Sequence, residues 1–376
     1  MVVISIPLSF FRTKKTKYTV LILLLSSLNW TVLAENSDSA ENTDSTESTV
    51  SLSTHYYSMK PGLTITKPIL AYENNLSLDT KISAKLTVDR VATDYEGFDA
   101  VSSASQYQGS LESGVDTRQE YVASVSQTLG DWALDVGYLA SVEQDYVSNS
   151  PSISISKDFN RRNTSLSLGY AHNFDRVNGL YMDDEETKNV DNISTSITQV
   201  LSPVSLFQLA YTLQHNRGFL STGNRQIVLE NDVTYSEYLP STRVRQAVGF
   251  RLAYWLKSKT ALHFSYRRYQ DDWELSSNTF AVKAYQTINS QWQIRGEIRL
   301  YDQSKTSFFK NNYDGTEQYL TSASSLNAFS SRLYGIKVSY KPLIFPRSRF
   351  EMKYERYSQS TGLFGDIVMM NMEFVY

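Results

Sequence analysis

The sequence predicts an all-β fold: a transmembrane antiparallel up-and-down β-barrel of about sixteen strands, with fourteen as the alternative count. Three observations carry this expectation. Apolar and polar residues alternate with a period of two over stretches of roughly ten residues. The chain opens on a three-part export signal. It ends on Tyr376, an aromatic residue closing an amphipathic final strand, as bacterial outer-membrane barrels typically do. No segment after residue 34 offers the long apolar run of a membrane-spanning helix.

Residues 1–34 read as a secretory signal peptide. Arg12, Lys14, Lys15 and Lys17 form the basic n-region, Thr19–Leu28 the apolar h-region, and Val32-Leu33-Ala34 the small-residue site, with cleavage expected after Ala34. An uncleaved N-terminal anchor is the alternative. Without this segment the chain has 32 basic and 39 acidic residues, a net charge of −7. Residues 35–50 then form an acidic flexible tail: Glu35–Thr49 has five acids, no basic residue and only Ala40 as an apolar side chain. Its acid spacing lacks the glycine turn of an EF-hand loop.

Residues 51–376 are assigned to the barrel. Val368, Met370, Met372, Phe374 and Tyr376 share one face of the last strand, with Phe374 and Tyr376 as the C-terminal barrel-assembly signal. Trp292, Ile294, Gly296, Ile298 and Leu300 alternate with Gln291, Gln293, Arg295, Glu297 and Arg299. Working back from Tyr376, strands fall near 365–376, 348–358, 328–341, 290–303, 276–288, 259–271, 243–256, 204–215, 188–201, 163–174, 149–158, 132–145, 118–129, 76–92, 62–72 and 51–59. The connections alternate short and long, and every long one (93–117, 175–187, 216–242, 304–327) lands on the same side. Pro203, Pro342 and Pro346 fall in short turns, where a missing N–H costs no ladder bond. A large soluble periplasmic β-sheet protein, apolar inside and charged outside, is the competing architecture.

The segment Tyr266-Arg-Arg-Tyr-Gln-Asp-Asp-Trp273, with Ser276, Ser277 and Thr279 following, resembles the signature of an uncharacterised bacterial family of outer-membrane β-barrels. Its usual pattern is close to Tyr-Arg-Tyr-Tyr-x-Asp-Asp-Trp, so Arg268 replaces an aromatic residue. Further similarity lies in Ser156–Thr164, Arg299–Ser304, Phe308-Phe309 and Tyr319–Phe329. The resemblance implies an outer-membrane barrel and an association with envelope redox proteins. It transfers no residue role.

Alternation directs Arg243, Arg245, Arg251, His263, Arg267, Arg295, Glu297, Arg299, Lys337, Arg349, Glu351, Lys353 and Glu355 into the lumen. Such charges either set ion selectivity, here a preference for anions, or brace the wall in pairs. Asp271, Asp272 and Trp273 are expected to form an outer turn with the indole at the membrane interface, a divalent-cation site being the sharper alternative. Asp183-Asp184-Glu185-Glu186 reads as a solvated acidic loop, or as a divalent bridge to lipopolysaccharide.

With no cysteine and only four histidines, cysteine chemistry is excluded and there is little material for zinc or histidine catalysis. His263 with Ser265 is the nearest approach to a hydrolase pair; His55, His172 and His215 suggest no cluster. The expectation is therefore a non-enzyme with no cofactor and no metal. The net charge of −3 gives no footprint for nucleic acid. The expected partners are outer-membrane lipids, lipopolysaccharide and the barrel-assembly machinery. Solute passage or binding leads, with the long loops as the gate. A closed docking barrel for an unidentified periplasmic redox or assembly partner comes second, and a barrel hydrolase third.

Overall fold

The computed structural model describes residues 47–93, 100–101, 106–107 and 114–376. The expected signal peptide and residues 35–46 of the tail lie outside them. Sixteen strands form one closed antiparallel barrel. In chain order they are β1 (Ser48–Lys60), β2 (Leu63–Asn75), β3 (Thr80–Thr93), β4 (Gly114–Leu129), β5 (Trp132–Val142), β6 (Tyr146–Phe159), β7 (Thr164–Val177) and β8 (Glu186–Ser202). They continue as β9 (Ser205–Gly218), β10 (Thr242–Leu256), β11 (Thr260–Asp271), β12 (Ser276–Thr287), β13 (Trp292–Gln303), β14 (Phe329–Tyr340), β15 (Ser348–Gln359) and β16 (Phe364–Val375). Each strand pairs with its chain neighbours, and β1 pairs with β16 from Thr49↔Val375 to Lys60↔Phe364. The fourteen-strand alternative is thereby excluded.

The burial pattern is inverted relative to a soluble sandwich. Leu52, Val136, Ile298 and Met370 are each about half exposed on the outer face, whereas Arg243, Arg118 and Glu355 on the inner face are each 4% exposed. A twelve-residue strand such as β16 extends about 40 Å and, tilted as barrel strands are, rises about 30 Å, enough to cross a hydrocarbon layer. The outer face also has two aromatic belts. Near the long-loop end, Tyr138, Tyr170, Tyr266 and Tyr354 donate to Asn149, Asp191, Asn278 and Asp366 at 2.6–2.9 Å. Each ring stays in the apolar band while its hydroxyl reaches a polar rim. At the short-turn end Trp292 stacks on Tyr340 at 4.4 Å, Lys157 sits over Trp132 at 4.5 Å, and Phe374 meets Phe350 edge-on at 6.1 Å.

Three expectations about boundaries and packing need correction. The barrel begins at Ser48, so Ser48–Val50 belong to β1 rather than to the tail. Its edge is held there by Ser48 N donating to Tyr376 O at 3.0 Å. Several strands run further toward the long-loop end than their apolar pattern indicated: β4 starts at Gly114, β7 reaches Val177 and β9 reaches Gly218. Their tips carry Asp116, Asp175 and Asn216 on the inner side, and such polar residues imitate a loop. Finally, the inner face is not polar throughout. Met59, Leu63, Ile65, Val91, Leu333, Tyr357, Leu363 and Ile367 form an apolar cluster inside the long-loop end, contributed by β1–β3, β14–β16 and the β15–β16 turn.

If the outer face contacts lipid, Ile298→Arg, which places a cation mid-strand on that face, is expected to cost about 2–4 kcal/mol in urea unfolding from liposomes. An unchanged midpoint would argue against a lipid-facing β13.

Candidate functional site

The candidate site is the lumen. All thirteen residues expected there lie on the inner side of their strands, and most have neighbours of opposite or polar character. Arg243 pairs with Asp271, Lys337 with Glu351 at 2.9 Å, Lys353 with Glu355 at 2.9 Å, and Arg295 with Glu297 at 3.7 Å. Arg245 donates to Gln214 at 3.1 Å, and Arg267 lies over the Tyr269 ring at 5.5 Å. His263 packs against Tyr285 at 4.8 Å, while Ser265 Oγ donates to Ala281 O at 3.5 Å.

The opposite wall was not foreseen. Asp89, Asp116 and Glu120 on β3–β4, Glu143 and Asp145 between β5 and β6, and Asp175 on β7 form an acidic sector at the long-loop end. Arg118 pairs with Asp89 and lies 3.5 Å from Glu120; Lys188 meets Asp175 at 3.2 Å and accompanies Tyr146, whose hydroxyl donates to Asp175 at 2.6 Å. The excess of basic over acidic residues on which anion preference rested thus belongs to β10–β15 alone. The signal for the acidic sector was the charge alternation in Asp116-Thr-Arg118-Gln-Glu120, of which Asp116 lay ahead of the expected strand start at residue 118.

Below the acidic sector the wall is built of small residues. Ser124, Gly137, Ser152, Ser154, Gly169 and Ala171 border a cavity of about 270 Å3 against β4–β9. The paired charges of Arg243, Arg295, Lys337 and Lys353 lie on β10–β15, away from this small-residue wall.

The connections 219–241 and 304–328 form a cap with its own core. Ile227 and Leu229 pack on Tyr313 and Leu320. Tyr238 and Leu320 exchange backbone hydrogen bonds at 3.0 and 2.9 Å. Glu237 accepts from Arg225 Nη1 at 2.7 Å, Ser221 Oγ at 2.6 Å and Thr321 Oγ1 at 2.6 Å. Burial opposes its ionisation, but the Arg225 charge and these three donors prevail and hold its carboxyl below the usual carboxylate range. The connection 178–185 locks on as Tyr181 N donates to Gly223 O at 2.9 Å, and a Cβ on Gly179 would sit 2.4 Å from Gly223. Asn224 ties the cap to the acidic sector by donating to Asp145 at 2.6 Å.

Glu143 has the opposite electrostatics. Its carboxylate is fully buried, has no hydrogen-bond partner, and has Arg118 only at 3.9 Å. Desolvation, aided by Asp145, Asp116 and Asp89 against the pull of Arg118, pushes it well above the usual carboxylate range. In the acidic connection expected to be solvated, Glu185 meets Arg176 at 3.6 Å and residues 183–186 are exposed.

With this geometry in view, residues 21–183 and 178–371 match a family described as protein of unknown function (DUF3570). The chain belongs to the DUF3570 family. No curated protein matches it. Among solved structures it is similar to CdiB from Acinetobacter baumannii, with 10% identity, a TM-score of 0.51, and coverage of 88% of this chain and 60% of that one. It is also similar to the outer membrane protein OpdK from Pseudomonas aeruginosa, at 9% identity and TM-score 0.46 over 89% of this chain and 100% of that one. A bacterial polysaccharide outer membrane secretin gives 9% and 0.48 over 88% and 98%. At such identities the likeness speaks to fold alone.

The fold explains the segment that resembles the family signature. Tyr266 belongs to the outer belt, and Arg268, in the aromatic position, points outward and donates to Asn278 at 3.2 Å. Asp271 points inward and ties four residues: it pairs with Arg243, accepts from Tyr269 Oη at 2.7 Å, and accepts the turn amides of Trp273 and Leu275 at 3.1 and 3.0 Å. Asp272 faces out and accepts from Val244 N at 2.9 Å. The two carboxylates therefore diverge, which removes the cation-site alternative. Trp273 is not at the interface. It is 5% exposed, lies 4.1 Å from the Arg243 guanidinium and packs edge-on against Phe308 of the cap at 5.2 Å. Cap aromatics offered it a drier partner than the membrane rim.

Two glutamates should respond oppositely to neutralisation. Glu237→Gln is expected to lower stability by about 3 kcal/mol at neutral pH, since the buried Arg225 loses the carboxylate it meets at 2.7 Å. Glu143→Gln is expected to leave the thermal midpoint unchanged or raise it, because the native group already favours its neutral form. The contribution of Glu237 is full above its ordinary value of 4.5 and is lost as pH falls through its lower folded value. Amide exchange in 219–241 and 304–328 should accelerate in that acidic window; pH-independent protection would refute the assignment.

Proposed function

We propose that this barrel lies in the outer membrane of a Gram-negative envelope, long loops outward and both termini periplasmic, and that it passes a small polar solute. The observation that carries the reading is the inverted barrel itself: an apolar outer face around a lumen whose β4–β9 wall is lined by serine, glycine and alanine. That wall leaves a lane opposite the crowded charged sector of β10–β15. The interlocked cap obstructs the mouth, so passage requires the Glu237–Arg225 latch to open. A solute in the lane faces acids on one side and arginines on the other, a transverse field that favours dipolar solutes over simple anions. A second reading, a closed barrel that docks a periplasmic partner, draws support from the apolar cluster inside the long-loop end.

Single-channel recording of residues 35–376 in a planar bilayer separates the two. Brief steps are expected from the parent, longer openings from Glu237→Ala, and reduced conductance from Ser152→Trp, which places an indole in the lane. A folded, heat-modifiable barrel giving no steps in either the parent or Glu237→Ala would sink the passage reading and favour docking.

A further inference from the structure

Between the cap and the inner wall lies a second, smaller chamber of about 40 Å3. Four cations border it: Lys188 of β8, Arg225 of the cap, and Arg243 and Arg245 of β10; Glu237 is its only carboxylate. Three of these cations have an acid of their own. Arg225 meets Glu237 at 2.7 Å, Lys188 meets Asp175 at 3.2 Å, and Arg243 is held by Asp271. Arg245 is different. Its Nη1 donates to Gln214 at 3.1 Å, its buried Nε has no hydrogen-bond partner, and among the described residues it enters no ion pair. The buried Ser325 hydroxyl also has no hydrogen-bond partner among the described residues. Trp273, Leu220 and Leu326 supply an apolar flank.

A guanidinium buried beside three other cations calls for a counter-ion. The chamber holds about three waters' worth of space, which suits one small planar oxyanion and not a sugar phosphate. The flat fork of a guanidinium matches the two oxygens of a carboxylate. We propose that this chamber is an anion site for the carboxylate group of a small solute, with Arg245 as its principal donor and the Ser325 hydroxyl as a second. The site deepens the passage reading, on which its biological role rests, by naming the charged end of the solute that first meets the lumen beneath the cap.

The test titrates acetate into the folded mature barrel in detergent at low chloride. Trp273 is the tryptophan that lines the chamber, so its emission reports occupancy, with Trp273→Phe as the blank. Saturable one-to-one binding is expected, weakened at least tenfold in Arg245→Gln and unchanged in Lys305→Gln on the exposed loop surface. Absence of saturation, or equal affinity in Arg245→Gln, would overturn the site. Inorganic phosphate binding as tightly as acetate would overturn the carboxylate assignment. If Arg245→Gln does not fold, Ser325→Leu decides: it fills the chamber without removing charge and should abolish binding, and unchanged affinity overturns the proposal. Acetate binding by a barrel that never conducts would overturn passage and leave the site standing; conductance without acetate binding would overturn the site alone.

Discussion

Closure of the backbone ladder is the constraint from which the rest follows. In an apolar medium an unpaired strand edge has no water to satisfy it, so the first and last strands must find each other across more than three hundred residues. Once β1 meets β16, every residue has an inside or an outside. The outside must be apolar, and the polar side chains of a chain that is 20% charged are directed inward or to the two rims. The lumen therefore receives far more charge than a soluble core would tolerate, and its organisation becomes a problem of neutralising neighbours.

That problem is solved by sector rather than by even mixing. Arg243 and Arg295 are answered by Asp271 and Glu297, while Asp89 and Asp175 are answered by Arg118 and Lys188. The cap bridges the sectors: Trp273 and Arg243 join it to the basic wall, and Asn224 joins it to the acidic one. Because these ties are hydrogen-bonded and buried, the cap is a folded layer with one small core of its own and a second shared with the barrel wall, rather than a set of independent loops.

Strand number, order and side were legible because period-two alternation is imposed by the pleat and the short turns allow little else. The inward direction of Arg251 or Glu297 could be read from immediate neighbours in the sequence. Three things could not. The tips of β4, β7 and β9 project past the apolar band, so Asp116, Asp175 and Asn216 lose the alternation that marks a strand. The destination of Trp273 depended on Phe308, a residue distant in sequence whose approach only the folded cap reveals. Cap residues such as Arg225, Glu237 and Thr321 lie in segments without periodicity, where pairing is set by tertiary contact alone.

The apolar cluster inside the long-loop end straddles the place where the chain's two ends meet. Met59 and Leu63 come from one terminus; Tyr357 and Ile367 come from the other. Backbone hydrogen bonds alone could exchange there for those of another strand, one register at a time. An oily clasp on the inner side couples neighbouring registers, because unzipping the seam would also wet it. The barrel is thus sealed at that seam by apolar packing as well as by its ladder, and anything that enters its lumen has to leave along the axis rather than sideways through the seam.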